Sequence, residues 1–200
     1  MCPGKLKSIL MNMHYIGNDT LLNKVKQHIT SKRFIHTMGV CKLSVELSKH
    51  YGADPQKAWI ASLLHDYEKT ISRSESNELV KRYALDNKYI DNQNLAHSKL
   101  AAISAKEDFN ITDSDILNAI SYHTTGRAGM SLLEKIIFVA DTCEEGRTYK
   151  EASKLRRQAF DDLDGVCVFI LEYIKKSLES KGEKVDKDTL DALDFFKSKL

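Results

Sequence analysis

Two prolines and nine glycines are all that this 200-residue chain contains of the usual breakers. With so few turn formers, and apolar residues recurring at every third and fourth position, a strand-rich architecture is excluded and an all-α chain is expected. Cysteine is scarce too: Cys2, Cys41, Cys143 and Cys167 form no CxxC pair, which argues against a zinc ribbon or a disulfide scaffold. Three of the four sit inside apolar helical patterns and read as reduced core residues. Neither sign of charge prevails, because 30 basic residues stand against 28 acidic ones with no dense Lys/Arg block. The electrostatic footprint of a nucleic-acid binder is therefore missing, and a small soluble molecule is the expected partner. The one short apolar run near the start, Ile9-Leu10-Met11, is too brief for a secretory h-region or a membrane span. No membrane association is expected, and the expected location is the cytoplasm.

What is present is a succession of helices in a chain long enough for one domain with a full core. Residues 1–17 carry no strong pattern and read as a leader ending at Gly17. Helices are expected from an Asn18 or Asp19 cap to Ile29, from Ser31 to Gly52, and from an Asp54 cap with Pro55 at the first helical position to His65-Asp66. Further helices are expected at about 74–84 behind Ser74, 93–107, 113–123 behind Thr112, 131–143, 150–180 and 188–200, with residues 85–92 as a loop. There are no internal repeats and no low-complexity tract.

The stretch that organises the rest is Ala61-Ser62-Leu63-Leu64-His65-Asp66, an apolar run ending in an imidazole beside a carboxylate. Neither group is cheap to bury alone, and a divalent metal is the first candidate to hold both. Other polar residues fall on apolar stripes as well. His36 shares a helical face with Val40, Leu43 and Leu47, and Asp141 continues the stripe of Leu133 and Ile137. His97 lies with Leu100, Ala101 and Ser104, and His123 with Ile116, Ala119 and Ile120. Each alone is more often a hydrogen-bonded core residue than a ligand. Jointly, four of the seven histidines face inward at helix ends or turns, whereas His14, His28 and His50 lie in polar surroundings and read as surface residues. One His, then a His-Asp pair, then a distant Asp supply three or four ligands and leave coordination positions open, the mark of a catalytic rather than a structural metal. No GxSxG elbow, GxGxxG turn or GxxxxGK[ST] loop occurs, so an activated water is the more natural nucleophile.

These residues resemble the H…HD…D signature of the HD metal-dependent phosphohydrolases. The likeness is closer to the bacterial YqeK family, through Arg33-Phe34-Ile35-His36-Thr37-Met38-Gly39-Val40, Ala61 to Lys69, Ala96-His97-Ser98, Tyr122-His123-Thr124-Thr125-Gly126-Arg127, Phe138-Val139-Ala140-Asp141 and Glu145-Gly146-Arg147. It runs from about residue 20 to 192 and departs where the family usually shows Pro and this chain has Lys187 or Asp188. The resemblance implies a single-domain helical bundle of the HD type at 18–200. It also implies symmetrical hydrolysis of diadenosine tetraphosphate to two ADP, with iron, or Mn, Co or Zn in its place, as one or two ions. By it His36, His65, Asp66 and Asp141 match the metal ligands, with His65 and Asp66 at the catalytic centre. His97 and His123 match positions that complete a second metal site or bind phosphates. Arg33, Lys69, Thr124, Arg127 and Arg147 supply donors suited to a polyphosphate; ordinary solvated loop arginine is the plain alternative for Arg127 and Arg147. The partner implied is a dinucleoside polyphosphate or ADP, with a homodimer left open. Another HD nucleotidase or phosphodiesterase and a non-catalytic nucleotide-binding module are the rivals. The absence of a GYP triplet after His123 argues against a cyclic-dinucleotide enzyme.

Overall fold

The computed structural model describes residues 19–198, so the leader at 1–17, the cap alternative Asn18, Cys2 and His14 lie outside the described residues. Ten α-helices make up the described chain, and no strand occurs among the described residues. They are α1 (Asp19–His28), α2 (Ser31–Tyr51), α3 (Pro55–Leu64), α4 (Arg73–Arg82), α5 (Gln93–Phe109), α6 (Ser114–Tyr122), α7 (Leu132–Cys143), α8 (Ala152–Gln158), α9 (Leu163–Ser180) and α10 (Lys187–Lys197). None of the helices searched is long and apolar enough to cross a membrane.

Capping chemistry sets most boundaries. Thr30, not Ser31, caps α2 by accepting from the Arg33 amide, and Gly52 ends it in the left-handed region. Asp54 caps α3 with Pro55 at the first helical position, as expected from sequence. Ser72 rather than Ser74 caps α4, and Asp113 rather than Thr112 caps α6. In each case the cap is the residue whose side chain accepts from an amide two or three positions on in the first turn. The single helix expected over 150–180 is two: Asp162 caps α9 by accepting from the Gly165 amide, and a turn separates it from α8. The 85–92 loop contains a 3₁₀ turn at Asn87–Tyr89.

Helices α2 and α7 form the centre. Helix α2 packs on α3 and α7, while α7 also packs on α6, α8 and α9, and α9 carries α10. Met38, Leu47, Leu63, Leu64, Ile136, Ile137 and Phe138 are fully buried between them. Each such side chain contributes about 1.5–3 kcal/mol of transfer free energy. A buried hydroxyl pair, Ser44 Oγ and Ser62 Oγ 2.6 Å apart, stitches α2 to α3. A smaller cluster of Val80, Tyr89, Ala96 and Leu100 seats α4 and the 3₁₀ turn on α5. The consequence for function is convergence: α3 and α6 end at His65 and His123, and α2 and α5 bring His36 and His97 to the same point.

Candidate metal and substrate site

His65 and Asp66 follow α3 as its C-cap and next residue, where the chain leaves helical hydrogen bonding and both side chains can turn toward one point. His36 and Asp141 reach it from α2 and α7. Ligand atoms of these four residues lie within 4.8 Å of one another. His36 Nε2 is 2.9 Å from Asp141 Oδ1 and 3.7 Å from Asp66 Oδ2, and His65 Nε2 is 3.2 Å from Asp66 Oδ2. A second group with the same property joins Asp66 to His97 and His123. Here Asp66 Oδ1 lies 3.2 Å from His97 Nε2 and 3.7 Å from His123 Nε2. Asp66 thus presents one carboxylate oxygen to each group.

The proton on each imidazole is fixed from behind. His65 Nδ1 donates to the Ser62 carbonyl at 2.6 Å, His123 Nδ1 to the Ile120 carbonyl at 2.8 Å, and His97 Nδ1 to the Gln93 carbonyl at 3.1 Å. Carbonyl oxygens only accept, so each Nδ1 carries the hydrogen and each Nε2 turns a lone pair to the centre. His36 Nδ1 donates to Glu144 Oε1 at 3.1 Å. The Nε2 atoms of His36 and His65 are buried with no hydrogen-bond partner, since the nearby carboxylates lack hydrogen-bond geometry. The Nε2 atoms of His97 and His123 face each other at 3.1 Å, with the Thr124 hydroxyl 3.2 Å from the latter. Buried lone pairs aimed at one another and at carboxylates are costly unless a cation lies between them. Nitrogen and oxygen donors in this number, with one face open, fit a divalent ion.

The electrostatics agree. Burial pulls the His36 pKa down, but Asp141 and Glu144 outweigh it and leave it above its ordinary value. Burial opposes the charge on Asp66, yet the imidazole of His65 beside it, with those of His123 and His97, holds its carboxyl well below the usual range. Asp141 is likewise held low against burial, by His36 and His65. His97 is pushed down to about 4 by its burial. Such a cluster favours added positive charge while keeping its carboxylates ionised.

Above this floor opens a cleft of about 400 Å³. Arg33, Lys69, Thr124 and Arg147 line it with Asp66, His97, His123 and Asp141. Arg33 Nη1 donates to Asp66 Oδ2 at 2.7 Å, and Arg147 Nη2 to Asp141 Oδ1 at 2.8 Å. Burial lowers the Lys69 pKa. Arg127 is not brought to the cleft. It makes a bidentate pair with Glu134, at 2.6 and 2.9 Å, and lies over the Tyr122 ring. Buried Glu134 also caps the start of α7 through the Ser131 amide, so Arg127 serves that capping box.

Several residues of the site went unnoticed in the sequence. Glu144 is buried, and the room for its carboxylate exists because residue 39 is a glycine: a Cβ there would stand 2.3 Å from Glu144 Oε2. A glycine in mid-helix three positions after His36 was the available signal, since it costs about 1 kcal/mol relative to alanine and needs a reason. A further wall of the cleft is built by Ile174, Leu178, Asp186 and Thr189, and Asn94 and Leu95 line it as well. No motif announces these.

Residues 33–146 match the HD domain family. Over 170 residues the chain is 39% identical to a symmetrical bis(5'-nucleosyl)-tetraphosphatase of Halalkalibacterium halodurans, covering 84% of this chain and 91% of that one. Over 175 residues it is 37% identical to the Bacillus subtilis protein of the same name, covering 87% and 94% respectively. The chain belongs to the HD-domain family of symmetrical bis(5'-nucleosyl)-tetraphosphatases. A solved HD-domain structure from Clostridium acetobutylicum, described as a predicted HD superfamily hydrolase involved in NAD metabolism, superimposes with a TM-score of 0.87 at 35% identity. It covers 91% of this chain and 97% of that one. As an HD-domain hydrolase, the chain carries its His/Asp cluster on α2, α3 and α7, and the matched span also takes in His97, His123 and Glu144.

Proposed function

We propose that this chain hydrolyses dinucleoside tetraphosphates at the central phosphoanhydride, so that diadenosine tetraphosphate and water give two ADP. The observation that carries it is the convergence of four imidazole Nε2 atoms and two carboxylates on the floor of an open cleft rimmed by Arg33, Lys69 and Arg147. His36, His65, Asp66 and Asp141 are the residues that would hold one divalent ion, and Asp66, His97 and His123 a second. Iron is our first assignment on the strength of the family resemblance, and imidazole and carboxylate donors without thiolate suit Fe, Mn, Co or Zn alike. Bound there, a divalent ion supplies Lewis acidity toward phosphoryl oxygens and lowers the pKa of water.

The chain's own groups do the rest. Asp66, ionised and central, orients the attacking water and accepts its proton. The water oxygen bonds to the second phosphorus from one adenosine as the bond from that phosphorus to the bridging oxygen breaks, and the departing ADP carries the electron pair away. Arg33 and Arg147, now paired with Asp66 and Asp141, have guanidinium edges on the cleft and meet the non-bridging oxygens there, with Lys69 and Thr124 adding donors. The apolar Leu95, Ile174 and Leu178 receive the nucleoside of one half, out of water. Free, buried Cys41, Cys143 and Cys167 suit a reduced compartment and support a cytoplasmic location. Elemental analysis together with a product assay tests this reading. ADP as the sole nucleotide product is expected; AMP with ATP, or no turnover by the metal-loaded protein, overturns it.

A further inference from the structure

A symmetrical substrate cut at its middle has two identical halves, and about 400 Å³ lies at the small end of ligand clefts, enough for one nucleoside diphosphate. The second nucleoside must then lie against the outer surface, within reach of the metal-binding floor. One edge of the cleft offers an aromatic surface there. Tyr173 on α9 is 57% exposed, next in sequence to the cleft residue Ile174, and Phe169 one turn before it is 40% exposed. Large aromatics left this open on a helix otherwise well packed call for an occupant.

The ring of Tyr173 is also held in place. Tyr149 lies nearly parallel to it, at 16° with centroids 6.4 Å apart, and donates its hydroxyl to the Thr142 carbonyl at 3.1 Å. Thr142 and Arg147 line the cleft beside Asp141, so the tyrosine pair borders the cationic rim. Resting on the proposed dinucleotide substrate, we infer that Tyr173, backed by Tyr149, is the stacking platform for the second nucleobase, the one outside the cleft. A base has an apolar π-face, an exposed tyrosine ring offers a matching face, and Arg147, lining the cleft two residues before Tyr149, meets the intervening phosphates. Discrimination between a dinucleoside and a mononucleoside polyphosphate then resides on α9, away from the metal ligands.

Calorimetry tests this with two probes carrying a methylene between the second and third phosphorus, diadenosine tetraphosphate and adenosine tetraphosphate, each titrated in Mn²⁺ into the wild type, Tyr173→Ala and Tyr173→Phe. The wild type binds the dinucleoside probe more tightly. Tyr173→Ala weakens that probe on the order of tenfold while leaving the mononucleoside probe unchanged, and Tyr173→Phe restores the difference. Equal weakening of both probes, or none, overturns the inference. So does a change of Tyr173→Ala in oligomeric state without a change in probe preference, which would make the patch an interface between two copies. Neither probe is cleaved, so this outcome is read separately from the ADP assay, whose failure would remove the proposed reaction instead.

Discussion

The floor and the wall of the cleft are built on opposite terms. On the floor every imidazole has its second nitrogen fixed: three rings donate to carbonyls of their own helices and His36 to buried Glu144. The wall, formed where α9 turns into α10, rests on the core through Ile170, Leu171, Ala192 and Leu193 and is joined at its edge by two ion pairs, Lys88 to Asp186 at 2.8 Å and Lys99 to Asp188 at 3.9 Å. Internal carbonyl partners cannot move away without unwinding a helix. Pairs between partly exposed chains are worth only about 0–1 kcal/mol and yield easily. The floor is thus held by partners inside its own helices, and the edge of the wall by side-chain pairs of small individual worth.

The comparison breaks most plainly at Asp66, which serves both groups of ligand atoms. Asp66→Ala, or His65→Ala, is expected to bring bound metal to background by elemental analysis and to cut turnover by roughly a thousandfold, several kcal/mol of transition-state stabilisation. Retained activity in either variant would show that the floor is not the reaction centre. Next comes the support behind His36. Glu144→Ala should weaken metal affinity by about 10–100-fold, measured by chelator competition. Gly39→Ala should shift affinity in the same direction, even though alanine favours the helix by about 1 kcal/mol, because its Cβ displaces the Glu144 carboxylate.

Arg127→Ala separates fold from site. With Glu134 left buried and short of a partner, denaturant unfolding should show a loss of about 1–2 kcal/mol, while kcat/KM stays within about twofold of wild type. A large kinetic loss with unchanged stability would return Arg127 to the substrate. The smallest effect is expected at the wall. Lys88→Ala frees Asp186 and should raise KM for the dinucleotide by about two- to threefold with kcat unchanged, consistent with an ion pair of less than about 1 kcal/mol.

Which of these residues the sequence disclosed follows a physical pattern. His36, His65, Asp66, His97, His123 and Asp141 were legible because each puts a costly polar group on an apolar stripe or at the inner end of a helix. Glu144 was hidden: an acidic residue just past a helix end, among Glu145 and Arg147, looks like solvated surface, and only the packing of α2 against α7 buries it. The break between α8 and α9 was missed because apolar periodicity continues across it, although Asp162 and Gly165 form a cap there. Arg127 and Arg147 belong to equally suggestive loops, yet one closes a capping box and the other holds Asp141.

By itself, then, the sequence determined the helical class, most helix boundaries and which imidazoles and carboxylates fall on apolar stripes, because periodicity, capping and the cost of burying polar atoms are local properties. Tertiary structure alone decided that Asp66 offers an oxygen to each of two groups, that Glu144 stands behind His36 in the space left by Gly39, and that Ile174, Leu178, Asp186 and Thr189 wall the cleft. Those relations join residues far apart in the chain, and their meeting depends on how α2, α7, α9 and α10 cross, which no local pattern encodes.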